Sequence, residues 1–329
     1  MPAKEPDTDP LVGTKYEKIK FINSGSFGYV VLARNKETSA EVAIKFVEVS
    51  TEKDVKHSQR EIMNHQQLLH PHVVKLMEVF PAGDYLAIVM EYVPDGDMFN
   101  HVVTRRGLPE PEARWFFQQL VLGMDYCHRK GVCNRDIKLE NTLLVLQKDK
   151  KPLLKMCDFG YAKHDQLDSI TRSKVGTPGY TAPEVIESRD ATGYDGKMAD
   201  VWSAGVMLYT MMFARYPFER PEDKNLRPHE RTNKVLMRIL KVDFVIPERP
   251  PISEEAKDLL RKLLVKDPSE RLSLTQLQKH PWFTTNLPNG SLEYNTWALQ
   301  VQNPDIQPAE LVNSAIQAAY AARQARKGN

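Results

Sequence analysis

Cysteine is scarce in this chain: only Cys127, Cys133 and Cys157 occur among 329 residues. They are odd in number and lack metal-ligand spacing, which fits a reduced cytosolic or nuclear setting. Long apolar runs are missing too. No uninterrupted stretch approaches the roughly 18 residues of a membrane span. Charge of one sign is equally absent, since 45 Lys and Arg face 43 Asp and Glu for a net charge of +2. That balance gives no global push toward nucleic acid or a membrane surface. Met1 to Pro10 is polar and proline-bearing, so no signal peptide is expected, and Pro2 stands where N-myristoylation needs glycine. There is no internal repeat and no low-complexity tract. What remains is globular: 41% hydrophobic and 27% charged, with a length suited to about two ordinary domains.

Residues 1 to about 15 read as a flexible leader. Strand-like runs follow at Ile19–Ile22, Tyr29–Ala33 and Glu41–Val47, separated by turn-prone residues as in an antiparallel meander. A helical segment carries Glu61, Ile62, His65, Leu68 and Leu69, and two apolar runs come next, Val73–Val79 and Tyr85–Tyr92. Helices then dominate: Ala113–His128, Asp200–Met212, Asn233–Leu240, Glu254–Leu264 and Leu274–Lys279. The pattern predicts an α+β, bilobal architecture, with a small β-rich lobe joined to a larger helical one.

The most informative stretch is Asn134-Arg135-Asp136-Ile137-Lys138-Leu139-Glu140-Asn141, followed by Asp158-Phe159-Gly160. It sets a carboxylate beside a lysine and an asparagine, then adds a second carboxylate on a glycine-hinged turn. Phosphoryl transfer from ATP needs such groups. Asp136 would orient the attacking hydroxyl and accept its proton, and Lys138 would neutralise charge on the moving phosphoryl group. Asn141 and Asp158 would give oxygens to Mg²⁺, a hard cation that favours oxygen ligands. Upstream, Val42-Ala43-Ile44-Lys45 is an apolar strand ending in a lysine suited to ATP phosphates, with Glu61 as its ion-pair partner. Ser24-Gly25-Ser26-Phe27-Gly28-Tyr29-Val30 has the composition of a phosphate-covering loop, because glycine lets backbone approach an anion. Alone, that segment reads equally as a plain hairpin. Scattered charges on solvated loops account for any one of these motifs, but not for all of them in this order.

Together the motifs resemble a serine/threonine protein kinase over about residues 16 to 283, with lobes at about 16–92 and 93–283. Lys138, two residues past Asp136, is similar to the serine/threonine branch. Arg60-Glu61-Ile62-Met63-Asn64-His65, Lys138-Leu139-Glu140-Asn141-Thr142-Leu143-Leu144, Cys157-Asp158-Phe159-Gly160-Tyr161 and Tyr194-Asp195-Gly196-Lys197-Met198-Ala199-Asp200-Val201-Trp202 resemble the second subfamily of plant and algal Snf-one-related kinases, which answer osmotic, nutrient and abscisic-acid stress.

The resemblance implies an ATP site formed by Ile22, Asn23, Ser24, Gly25, Ser26, Phe27, Gly28, Val30, Ala43, Lys45, Met90, Glu91, Val93, Asp97 and Leu143. Backbone groups of Glu91 and Val93 would meet the adenine, with Met90 behind it. Asp97 is open to two readings, a contact to ribose or a basic substrate residue, or a helix N-terminal carboxylate. The loop from Asp158 to Glu184 implies a phosphate-controlled switch at Ser173, with Ser169 and Thr171 as alternatives and Thr177 as a weaker phosphorylation candidate, whose place before Pro178 suits a structural hydroxyl contact. Arg135 would be its cation. Glu184 and Arg271 would form a structural ion pair, and Asp200 would brace the catalytic loop. Residues 284–329 imply a regulatory extension with a helix at about 308–325, whose apolar stripe is Leu311, Val312, Ala315, Ile316, Ala319 and Tyr320.

Three departures stand out. Asn134 replaces the usual histidine, Asn23 replaces the first loop glycine, and the tail lacks a long acidic segment. The tail shifts the expectation from abscisic-acid-linked phosphatase docking to a nutrient or osmotic role. The expected activity is Mg²⁺·ATP-dependent phosphorylation of protein Ser/Thr, with a basic residue upstream of the target read by Asp97 and Glu140. Expected partners are protein substrates, an upstream activating kinase and an opposing phosphatase, for a monomer that binds neither nucleic acid nor membrane. The rival expectation, raised by Asn23 and Asn134, is a pseudokinase that binds without catalysis. Cys133 and Cys157 flank the motifs, as buried hydrophobes or as redox-accessible thiols.

Overall fold

The computed structural model describes residues 9–25, 28–146, 148–159, 178–188 and 193–328. They divide into two compact units, one reaching to Pro94 and resuming at Gln300, the other spanning Asp95–Leu299.

The first unit opens with β1 (Tyr16–Gly25), β2 (Gly28–Asn35) and β3 (Glu41–Val47), then α1 (Glu52–His65), β4 (Leu76–Ala82) and β5 (Tyr85–Glu91). The five strands form one antiparallel sheet in the order β1-β2-β3-β5-β4. Side chains alternate across a strand, so the register sorts them into two faces. Tyr29, Val31, Ile44, Phe46, Ala87 and Val89 form a buried cluster on one face. Val30, Lys45 and Ile88 stand opposite one another across three strands, as do Leu32, Ala43 and Met90, and these share the other face. Gly28 is fixed by packing: a Cβ there would lie 1.7 Å from the Phe46 carbonyl oxygen. Thr51 and Asp54 cap α1 reciprocally, each side chain accepting the other's backbone N–H.

The second unit holds α2 (Met98–Arg105), α3 (Glu110–Arg129), the hairpin β6 (Thr142–Val145) and β7 (Leu153–Met156), α4 (Pro183–Glu187) and α5 (Gly196–Phe213). It continues with α6 (Pro228–Lys241), α7 (Glu254–Leu263), α8 (Leu274–Leu277), α9 (Pro281–Thr284) and α10 (Ser291–Ala298). Helices α3 and α5 pack together and are buried along most of their lengths. Several helices begin before their apolar periodicity does. Proline in the first turn starts α3 and α6 early, and the Asp195 side chain caps α5 by accepting Lys197 N–H at 2.8 Å.

The last helix, α11 (Ala309–Gly328), belongs to the first unit and packs on α1, β4 and β5. Val312, Ala315, Ile316 and Ala319 are its buried stripe. Leu311, expected in that stripe, is instead 58% exposed. At 100° per residue it lies one step around the helix from Val312 and faces solvent. Arg323 pairs with Glu48 and Asp84, and Arg326 reaches Asp84 at 3.0 Å. Before the helix, Asn303 Nδ2 donates to the Gln66 carbonyl at 2.7 Å and Lys75 meets Asp305 at 2.6 Å. The Gln307 amide bonds both backbone groups of Val79 on β4, accepting its N–H at 2.6 Å and donating to its carbonyl at 3.2 Å.

Candidate active site

The chain between α3 and β6 carries Asn134 to Asn141, and Asp158 follows β7 two residues on, so the small hairpin brings the two motifs side by side. Cys157 N–H donates to the Asn141 carbonyl at 2.9 Å, tying one to the other. Asp136 is the hub. Its Oδ2 accepts from Lys138 Nζ at 2.9 Å and from Asn141 Nδ2 at 2.6 Å. Asn141 Nδ2 also donates to the Asp136 carbonyl at 3.0 Å. Two acceptors fix which end of the Asn141 amide is nitrogen, and its Oδ1 accepts no hydrogen bond among the described residues. An amide oxygen and the Asp158 carboxylate are a donor set that suits Mg²⁺. Burial works to lower the Lys138 pKa, but the charge and hydrogen bond of Asp136, with Glu140 and Asp158, outweigh it and hold the ammonium above its usual value. Glu140 is an exposed residue, yet partial loss of hydration and the charges of Asp136 and Asp97 push its carboxyl upward against the opposing Lys138.

The loop is braced from α5. Asp200 is buried and accepts Asn134 N–H at 2.9 Å, Arg135 N–H at 2.8 Å and His128 Nε2 at 2.8 Å. Arg135 and Asp158 both adopt left-handed backbone, with φ of 63° and 58°, which is uncommon for non-glycine residues and here lies within the bonded network. The Asn134 amide spans the two motifs. Its Oδ1 accepts Asp136 N–H at 3.1 Å, and its Nδ2 donates to the Asp158 carbonyl at 3.2 Å. Nothing in the sequence pattern signals this bridge, because asparagine there reads only as a missing histidine.

In the first unit, Val30, Ala43, Lys45 and Met90 lie on the sheet face opposite the aromatic cluster. Met90 and Val93 are buried, while Val30, Ala43 and Lys45 are half-buried. Glu61 is half-buried on α1. Glu91 turns its carboxylate back to accept Lys75 N–H at 3.0 Å. Ile22 and Asn23 are exposed on β1, with Ser24 and Gly25 at its end. Asn23, standing where a loop glycine is usual, lies in strand opposite Val30 without a positive φ, and its Oδ1 accepts Ser24 N–H at 2.8 Å. Ser26 and Phe27 lie outside the described residues.

In the second unit, Asp97 is the N-cap of α2, its carboxylate accepting Asn100 N–H at 2.7 Å. Half-buried Leu143 lies on β6 and bridges to Asp97. Ser169, Thr171, Ser173, Thr177 and Gly160 lie outside the described residues. Near the end of that loop, Arg271 is fully buried and grips Glu184 through two bonds of 2.8 and 2.9 Å. The Arg135 guanidinium stands 5.9 Å from the centre of the Tyr194 ring. Burial and the charge of Asp200 push the Cys133 thiol up to about 11, which disfavours the reactive thiolate. Tyr180, unmarked by any motif, also reaches the loop: its hydroxyl accepts Leu139 N–H at 3.4 Å and its ring meets Tyr216 edge-on.

Residues 16–283 match the protein kinase domain. Serine/threonine-protein kinase SAPK9 of rice (Oryza sativa subsp. japonica) is 44% identical over 93% of this chain and 81% of its own length. Serine/threonine-protein kinase SAPK5 of rice is 47% identical over 83% and 71%. Serine/threonine-protein kinase SRK2A of Physcomitrium patens is 43% identical over 90% and 82%. With a domain match over most of its length and relatives this similar, the chain belongs to the family of ATP-dependent serine/threonine protein kinases, among members of the second Snf-one-related subfamily.

Proposed function

We propose that this kinase phosphorylates proteins at serine or threonine preceded by a basic residue, in osmotic or nutrient signalling, after phosphate has been placed on its own loop. The observation that carries the reading is the Asp136 carboxylate held at once by Lys138 and Asn141, at 2.9 and 2.6 Å. Asp136 orients the target hydroxyl and takes its proton, and Lys138, kept charged by its neighbours, balances charge on the transferring phosphoryl group. Asn141 Oδ1 and the Asp158 carboxylate would hold Mg²⁺, which when bound would neutralise charge on the phosphate oxygens. Lys45, with Glu61 as its expected ion-pair partner, would meet the ATP phosphates. The remaining nucleotide contacts fall to the residues on the Lys45 face of the sheet and to backbone of Glu91 and Val93. Both departures raised for a non-catalytic protein are bonded in ways compatible with catalysis: Asn134 bridges the two motifs, and Asn23 accepts the Ser24 N–H within its strand.

Asp97 and Glu140 offer negative charge to a basic substrate residue. A phosphate on Ser173 brings about −1.5 to −2 charge and three acceptor oxygens for Arg135. An upstream kinase and an opposing phosphatase follow from such control. The stress role, the monomeric state and a cytosolic or nuclear location rest on the subfamily resemblance and the cysteine content. No described helix is long and apolar enough to cross a membrane.

The test uses the full chain with loop phosphate, Mg²⁺, labelled ATP and paired peptides carrying Arg or Ala upstream of the serine. We expect transfer well above an Asp158→Ala control, faster on the Arg peptides, and strongly reduced in Ser173→Ala protein that still binds ATP. No transfer above the control sinks the enzyme reading, and equal rates on both peptides sink the basic preference.

A further inference from the structure

We propose that Asn134 is a positioning residue whose side-chain amide sets Asp136 and Asp158 in register with each other. The inference rests on the reading of those two carboxylates as base and metal ligand, and concerns how this chain holds them. Asn134 is 4% exposed, and both ends of its amide are used. The oxygen takes the Asp136 N–H, while the nitrogen reaches the Asp158 carbonyl, 24 residues along the chain. Its own N–H is anchored on Asp200, so the amide hangs from a fixed point on α5.

The position of Asp158 makes the nitrogen end matter. With φ at 58°, Asp158 sits in a conformation that non-glycine residues leave easily unless neighbours hold them. A donor on its carbonyl restrains the adjoining peptide plane, and with it the direction in which the carboxylate leaves the backbone. Only a side chain with a donor and an acceptor at this reach can hold both motifs. A carboxylate of the same shape keeps the bond to Asp136 but turns oxygen against the Asp158 carbonyl, which has nothing to donate. An aliphatic side chain holds neither. A neutral imidazole carries one donor and one acceptor and is able to serve, which explains how asparagine replaces the histidine usual in this motif without emptying its role.

The experiment compares Asn134→Leu, Asn134→Asp and Asn134→His in the full chain bearing its loop phosphate. Leu and Asp are expected to lower kcat about 10- to 100-fold, the range for losing one or two buried hydrogen bonds near the reacting groups, while peptide KM moves less than about threefold. Both should raise the Mg²⁺ concentration needed for half-maximal rate. Calorimetry should show MgADP binding weakened more than ADP binding without metal. His should recover most of the turnover and the wild-type Mg²⁺ dependence. The proposal is overturned by wild-type kcat in the Leu variant, by equal damage in Asp and His, or by a lower Tm with Mg²⁺ dependence unchanged. If the Leu protein does not fold, the Asp and His pair, both able to keep the bond to Asp136, decides alone. Persistent transfer in Asp136→Ala and Asp158→Ala controls marks a different failure, that of the underlying catalytic assignment.

Discussion

Asp223 shows how much one residue outside the chemistry contributes to holding the second unit. Its side chain is 1% exposed and takes both guanidinium nitrogens of Arg238 on α6, together with Arg220 N–H at 2.9 Å. The Arg238 hydrogen bonds, acting against burial, hold the Asp223 carboxyl down at about 2. A folded value below the unfolded one means the pair contributes fully above the ordinary aspartate range near 4. The contribution is lost as pH falls from there toward 2. Asp223→Asn should therefore cost on the order of 2 kcal/mol at pH 7, and more where Arg238 is left buried without its counter-charge. Urea unfolding at pH 7, 4 and 3 should show the gap from wild type narrowing only at the lowest pH. A constant gap across that range excludes ion pairing as the source. Residues like this one were not legible in the sequence: nothing marks Asp223 among its acidic neighbours, because its partner is chosen by the turn that precedes α6. The Glu184–Arg271 pair was legible, since both members sit inside motifs with a fixed order.

At the scale of elements, α11 is held to the first unit by two unlike means, an apolar stripe and a charged cluster. Arg323 is mostly buried between Glu48 and Asp84, its guanidinium also 5.6 Å from the centre of the Tyr85 ring. Loss of hydration opposes the Asp84 charge, but Arg323 and Arg326 outweigh it and keep the carboxyl below its usual value. Arg323→Ala should lower Tm by a few degrees, in keeping with about 1–2 kcal/mol for a partly buried network, with the loss partly reproduced in wild type by high salt. A melting point unchanged by the substitution removes the cluster as an anchor. The stripe was visible as helical spacing, and Val312, Ala315, Ile316 and Ala319 do bury. Leu311 misled because periodicity gives a stripe without its margins, and the first turn of a helix packs on whatever its approach angle allows. Nothing in the sequence marks Arg323 as an anchor, because its partner Asp84 lies 239 residues earlier. Helix starts were misplaced for a related reason. Caps and first-turn prolines, not apolar residues, begin α3, α5 and α6.

At the scale of the whole molecule, the phosphoryl-transfer motifs were readable because each is local and their order along the chain is itself the signal. The α+β character was readable from the change of period, two residues in the first third and nearly four thereafter. Bonds between distant segments were hidden, and among these the Gln307 amide on Val79 has a further consequence. Strand β4 is the outermost strand on its side of the sheet, and such a strand presents unpaired backbone groups that invite another chain. Gln307 meets those groups with the donor and acceptor of a side chain, in place of a sixth strand. The C-terminal segment thus works as a guard against self-association as well as a support. Protein shortened before Asn303 should form concentration-dependent dimers and larger species by sedimentation, with a gain in β-structure by infrared spectroscopy. Shortened protein that stays monomeric at every concentration overturns this role.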